Sequence, residues 1–246
     1  MDITNFTSAF GFIKDFFSSY KAKPAPAIQP TPVVQPPTQV IVVAPQVVVD
    51  PSDTFANFDP SLIITDKEFT NCDSMTEQQI QDFFVKWKGV ILPTYKINGQ
   101  LISYWIAKHC KDNGLNPMVV ITNLQKEQAA VTASKPFKRQ RTYDYILGVG
   151  ALEDHDNPKW AGMDKQVLGS IQTSIKWQQI GLKKTFPLSI AATDKADLVV
   201  KNAATYSLYK YTPWVGNQDK MIVKNLYQAP FGNYLFWKVY RKFFKS

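Results

Sequence analysis

From residue 61 to residue 246 the apolar positions recur at helical spacing, segment after segment. In "SMTEQQIQDFFVKW", Ile80, Phe83, Phe84 and Trp87 fall at i, i+3, i+4 and i+7, which is one face of a helix. Thr76 is placed to cap that helix, Gln79 completes a capping box, and Met75 with Ile80 makes a hydrophobic staple. A second stripe, Ile102, Trp105, Ile106 and His109, closes at Gly114. Asn116 caps a third helix with Pro117 in its first turn, and its stripe runs through Val120 and Leu124 to Glu127. A helix starting near Asp164 presents Val167, Leu168, Ile171 and Ile175, and "NAATYSLYKYTP" reads as a short helix stopped by Pro213. The last helix, from Asn233, presents Phe236, Val239, Tyr240, Phe243 and Phe244. Its cations Lys238, Arg241, Lys242 and Lys245 lie towards the C-terminal end, where the helix dipole favours them. "PLSIAATDKADLVV" reads as two short strands around a turn at Asp194–Lys195. The predicted class is mainly α (α+β), a helical domain with one small β-hairpin.

The pattern breaks down before residue 61. Nine of the sixteen prolines lie between Pro24 and Pro60, with no glycine among them and no Lys or Arg between Lys23 and Lys67. This composition favours extended, polyproline-like chain, which at about 3.1 Å per residue spans on the order of 100 Å. Ahead of it, Ile3, Phe6, Phe10, Ile13 and Phe17 are spaced 3, 4, 3 and 4, a heptad-like seam. That seam suits a docking or oligomerising helix, a helix lying on a membrane surface, or one packed on its own domain; the long leash favours docking. The expected organisation is an amphipathic docking helix over residues 1–22, a linker over 23–60 and a globular domain over 61–246. No run of about 20 apolar residues predicts a membrane span. The opening residues, charged from Asp2 and broken by Lys14 and Asp15, do not read as a secretory signal.

Charge follows the same division. The chain carries a net +8; residues 1–60 contribute −2, so residues 61–246 carry +10. A basic domain attracts polyanions, but no nucleic-acid motif is present and the lysines are scattered, so nucleic acid is not the expected partner. Bacterial wall polymers, with their teichoic and peptide anions, fit as well, and solubility alone would also explain the charge. Cys72 and Cys110 can be a pair or two reduced core thiols, and His109 reads as a core residue. With His109 and His155 alone and neither HExxH nor CxxC present, no metal or cofactor is expected.

The chemistry-bearing candidate is Glu127, a carboxylate closing an apolar stripe just before the loop "AAVTASKP". Burial disfavours the charged form of a carboxyl group, which is how an acid is kept protonated near neutrality for glycosidic cleavage. The competing reading is a structural ion pair with Lys126, Lys135, Lys138 or Arg139. Trp160, Tyr211 and Trp214, in loops, are the aromatic residues placed for stacking on sugar rings.

"GLNPMVVITNLQKEQ" resembles the signature of the lysozyme-like superfamily that includes lytic transglycosylases. The chain more closely resembles a lysozyme-like domain of bacterial surface and phage tail proteins. The matching segments, in order, are "LIITDKEFTNCDSMTEQQIQDFF", "NPMVVITNLQKEQAAVT", "TYDYILGVG", "GMDKQV", "NAATYSLYKYTPWVGN" and "GNYLFWKVYRKFF", which cover nearly all of residues 61–246. The resemblance implies a lysozyme-like fold, peptidoglycan as substrate and Glu127 as catalytic acid. It also implies a substrate-binding set of Tyr145, Gly148, Gly150, Gln166, Tyr211 and Trp214. The family's Cys-bearing loop after Gly-x-Gly is replaced here by "ALEDHDNPKW". No spacing selects a second carboxylate among Asp144, Glu153, Asp154, Asp156 and Asp164, which points to a single-Glu, transglycosylase-type route. A tethered wall-cleaving domain suits a phage virion or tail component, with a virion partner engaged through residues 1–22 and the linker; an extracellular or wall-located enzyme is the other setting. A structural or wall-binding protein that kept the fold and lost the chemistry is the alternative function.

Overall fold

The computed structural model describes residues 55–152, 155–216, 221–223, 226–228 and 231–245; the expected N-terminal helix and most of the linker lie outside them. The described chain is mainly helical with some β. Its helices are α1 (Asp66–Phe69), α2 (Glu77–Lys86), α3 (Ile102–Asn113), α4 (Pro117–Gln128), α5 (Gln140–Asp144), α6 (Met163–Leu182), α7 (Ala203–Tyr211) and α8 (Gly232–Phe244). Three antiparallel two-stranded sheets accompany them: β1 (Lys96–Ile97) with β2 (Gln100–Leu101), β3 (Leu188–Ala192) with β4 (Lys195–Val200), and β5 (Met221–Val223) with β6 (Leu226–Gln228).

The middle of the fold is α4. Pro117, Val119, Val120, Ile121, Thr122, Asn123 and Leu124 are all buried, so its first two turns are enclosed on every side rather than along one stripe. Asn116 sets its start. The Asn116 side-chain oxygen accepts from the Met118 backbone N–H at 2.8 Å and from Ser74 Oγ at 2.6 Å, while its Nδ2 donates to the Glu68 carbonyl at 2.7 Å. One buried amide thereby ties α1, the loop before α2 and α4 together. The predicted capping box of α2 is present, with Thr76 and Gln79 each bonding the other's backbone. The aromatic face of α2 meets the end of α8, where Trp87 and Phe243 rings lie 4.6 Å apart.

Helix α6 departs from its predicted stripe. Val167 and Ile171 are buried as expected, but so are Gln166, Ser170, Ser174 and Gln178 at every fourth position. The reason is that α6 is covered twice, by α3 on one side and α7 on the other. Small polar side chains let α7 come close: Ser207 Oγ donates to the Ser174 carbonyl at 2.7 Å, and a Cβ on Gly181 would stand 3.0 Å from Ala203 Cα.

Two expectations about extent are corrected. The packed domain begins before residue 61: Phe55–Asn57 form a 3₁₀ turn, and the buried Phe58 ring lies 5.4 Å from Tyr234 and 5.5 Å from Trp237. Phe58 thus packs on α8 as a core residue, although it falls within the span expected to be linker. The predicted hairpin is β3–β4, but it is one of three strand pairs among the described residues. The β1–β2 pair turns at Asn98 and Gly99, both at positive φ (52° and 81°), the geometry that an Asn-Gly pair adopts readily. Asp194, at the tip of β3–β4, accepts from the backbone N–H groups of Val215 and Gly216, each at 2.8 Å. That clamp fixes the loop after α7, and this loop reaches the candidate site.

Candidate active site

Helix α4 ends at Ala129, which takes a left-handed conformation (φ 51°), and the chain turns away, leaving Glu127 in the last turn. The Glu127 side chain is 25% exposed, so it meets solvent while the first two turns of its helix are enclosed. Its Oε1 lies 2.8 Å from Lys126 Nζ. Of the cations considered as structural partners, Lys126 is the one that pairs with it. The Lys126 side chain is only 6% exposed, and a cation so enclosed requires acceptors. Besides Glu127 it donates to Thr212 Oγ1 at 2.7 Å and stands 5.6 Å above the Tyr211 ring.

Tyr211 links this cluster to the Gly-x-Gly loop. Its hydroxyl donates to the Leu147 carbonyl at 2.8 Å and accepts from Ser170 Oγ at 3.3 Å. Burial pushes the phenol well above its ordinary value, and the nearby Glu127 carboxylate pushes the same way. The loop is held from beneath by Gln166, which is fully buried. Gln166 Oε1 accepts from the Leu147 and Val149 N–H groups at 3.2 and 3.0 Å, and its Nε2 donates to the Val149 and Trp160 carbonyls, both at 2.7 Å. Gly148 and Gly150 both have φ of 72°, the left-handed region that glycine enters without strain. Trp160 is wedged between Gly150 and Gly169: a Cβ on Gly150 would come within 2.8 Å of its ring, and one on Gly169 within 2.7 Å.

Glu127, Tyr211 and the Leu147–Gly150 loop are thus brought to one place by α4, α6 and α7. The expected roles of two residues change. Gln166 was expected to bind sugar, but its amide is fully engaged with backbone, so it shapes the loop and does not reach a ligand. Tyr145 is 6% exposed, with the Arg141 guanidinium 6.0 Å from its ring, and burial together with Asp156 and Asp144 pushes its phenol up. It packs in the wall of the loop rather than facing outwards. Trp160, packed on two glycines, is also a wall residue. Trp214 is half-buried, edge-on to Phe231 at 5.7 Å, and its carbonyl accepts from the Asn233 N–H and Nδ2, each at 3.0 Å.

Compared with known proteins, the chain matches no family model, no curated protein and no solved structure.

Among the candidate second carboxylates, Asp156 is taken by Arg141 through two hydrogen bonds of 2.6 and 2.8 Å, which hold its carboxyl below the usual range. Asp144 accepts from Gln140 Nε2 at 3.1 Å, and Glu153 and Asp154 lie outside the described residues. Among the described residues no cluster of three His, Cys, Asp or Glu side chains could hold a metal ion, and no helix is long and apolar enough to cross a membrane. Cys72 and Cys110 are both free thiols, Cys110 buried on the core face of α3. Thr212, the hydroxyl that holds Lys126, was not singled out from sequence; its position in "YKYTPW", just after Tyr211, was the available signal. Asn123, one turn before Glu127, is buried with its side-chain oxygen lacking a partner among the described residues.

Proposed function

We propose that this chain cleaves the glycan strands of peptidoglycan through a lysozyme-like fold, with Glu127 delivering a proton to the bridging oxygen. One observation carries the reading: the carboxylate at the end of a buried central helix is joined through Lys126 to Tyr211, whose hydroxyl bonds the glycine loop that Gln166 holds in place. General acid catalysis needs a positioned proton donor at a site that a substrate can reach, and Glu127 is held on a rigid element and partly exposed. Lys126 is anchored independently by Thr212 and Tyr211, so it keeps its place when the carboxyl group engages substrate. The proposed route is the single-carboxylate one and uses no protein nucleophile; Asp156, held by Arg141, is not free to act as one. The substrate's own N-acetyl or 6-hydroxyl group attacks the anomeric carbon as the bond to the protonated oxygen breaks; in the 6-hydroxyl route the Glu127 carboxylate takes up the hydroxyl proton and an anhydro-sugar end is left.

The proposed partner is bacterial peptidoglycan, reached by the positively charged domain, and the proposed setting is a phage virion or tail. A second reading, a wall-binding or structural virion protein without chemistry, draws on the Lys126–Glu127 ion pair itself, since such a pair also serves as a plain structural contact.

The deciding experiment incubates the chain and its Glu127→Gln variant with peptidoglycan and identifies released fragments by mass spectrometry. Gln keeps the shape and removes the acid, so a drop of about 10²–10⁴-fold is expected. Anhydro-muropeptides would support the single-carboxylate route, and reducing ends would require a second carboxylate. Wild type and variant equally inert, yet both still wall-bound, would favour the second reading.

A further inference from the structure

A cavity of about 340 Å³ lies at the far end of the loop that follows α4 and does not include Glu127. Its walls come from the segment before β1 (Ile91, Thr94, Tyr95), from Lys96 on β1, and from α5 (Gln140, Tyr143). The loop that leaves Glu127 ties it to the site: the Val90 N–H donates to the Ala133 carbonyl at 2.9 Å, and Gly89 packs so closely that a Cβ there would be 2.1 Å from the Val131 carbonyl oxygen. The same loop fixes one wall, because the Phe137 N–H donates to the Tyr143 hydroxyl at 3.0 Å. The cavity and Glu127 are therefore at opposite ends of one anchored loop.

The lining chemistry is specific. The Tyr95 and Tyr143 rings are nearly parallel, 13° apart in plane with centroids 6.0 Å apart, and form an aromatic wall. Thr94 and Gln140 are exposed at the rim, and Gln140 Nε2 already donates to Asp144, which leaves its oxygen to accept. The exposed Lys96 has no carboxylate partner among the described residues, in a domain with an excess of ten positive charges. An apolar aromatic face with hydroxyl and amide groups at its edge suits a sugar ring, whose C–H face is apolar and whose rim is hydroxylated. A cation without a partner at that rim suits a ring bearing a carboxylate.

We propose that this cavity is a saccharide subsite that seats a carboxylate-bearing pyranose on the Tyr95–Tyr143 wall, with Lys96 pairing to the carboxylate. The proposal rests on the glycan-cleavage reading and gives a strand stripped of its stem peptides a second point of attachment beyond Glu127. A muramic acid residue without its peptide carries such a carboxylate, whereas in a peptide-bearing residue that carboxyl group is an amide and an N-acetylglucosamine residue has none.

The test measures binding by calorimetry in the non-cleaving Glu127→Gln background. The probes are a peptide-free tetrasaccharide of alternating N-acetylglucosamine and N-acetylmuramic acid, and chitotetraose as its neutral match. The acidic probe is expected to bind more tightly, and adding Lys96→Ala should weaken it about three- to tenfold while leaving chitotetraose unchanged. Lys96 is exposed on a two-residue strand, so this variant tests the charge without disturbing the core. Tyr95→Ala should weaken both probes. Equal binding of the two probes, or acidic-probe binding indifferent to Lys96→Ala, overturns the proposal even if wild type cleaves peptidoglycan. Lys96-dependent binding in a chain whose wild type never cleaves peptidoglycan would uphold the subsite and remove the enzyme reading.

Discussion

Replacing Gln166 by Glu preserves shape and changes only the sense of two hydrogen bonds. In the native loop the Gln166 oxygen accepts from two N–H groups while its nitrogen donates to the Val149 and Trp160 carbonyls, both at 2.7 Å. A carboxylate keeps the first pair and turns an oxygen towards the second. Two hydrogen bonds of about 1 kcal/mol net are lost, and two carbonyl groups are left facing an acceptor at about 1–3 kcal/mol each. Val149 is half-buried and can draw in water, so a total of about 3–5 kcal/mol is expected, or about 10–15 °C in Tm for a domain of this size. The introduced carboxyl group is fully enclosed, so its folded-state pKa lies above the unfolded value of about 4.3. A raised folded pKa contributes stability that is present below the unfolded pKa and lost as pH rises through the folded one. The deficit against wild type should therefore be smaller at pH 4 than at pH 7. Urea unfolding followed by tryptophan fluorescence at both pH values reads this directly, with Gln166→Leu as a control whose deficit is independent of pH. A Gln166→Glu chain within about 1 kcal/mol of wild type at pH 7, or a deficit identical at the two pH values, would refute the bonding described.

The glycine loop and the Arg141–Asp156 pair make two further predictions. Gly150→Ala forces a left-handed alanine against Trp160, whereas Gly148→Ala meets nothing within 4 Å. The second should cost about 1–2 kcal/mol and the first about 1–3 kcal/mol more, a difference that denaturant midpoints resolve. Arg141 holds the Asp156 carboxyl below its usual range, chiefly by hydrogen bonding and against the opposing effect of burial. A lowered folded pKa contributes stability present above the unfolded value of about 3.9 and lost as pH falls. Asp156→Asn should accordingly flatten the decline of Tm below about pH 4, and an unchanged acid limb in a Tm-against-pH series would show that the pair does not couple to folding.

Much of the architecture could be read from local pattern because local physics decided it. The capping box at Thr76 and Gln79, the Asn116 cap with Pro117, the left-handed Gly114 and the β3–β4 hairpin all depend on residues within a few positions of one another, and each formed as its spacing implied. The Asn98–Gly99 turn carries the same kind of signal, but its strands are only two residues long and too short for an alternating pattern. Apolar periodicity named one face of each helix and could not say how many faces would be covered. For α4 and α6 the answer came from neighbours distant in sequence, which is why Gln166 and Ser170 proved buried and why Phe58 joined the core.

The site divides along the same line. Glu127 was conspicuous in sequence because a carboxylate ending an apolar stripe conflicts with local preference, and such conflicts draw attention to chemistry. Its surroundings were not legible. Lys126 and Thr212 are 86 positions apart and meet only because α7 lies across α6 and the Asp194 clamp returns the following loop to α4. Sequence alone therefore determined the six longer helices, but not the short α1 and α5, and which carboxylate would stand out. Tertiary structure alone decided what that carboxylate would face, because hydrogen bonds and ion pairs between distant segments depend on how buried helices stack and not on the spacing within any one of them.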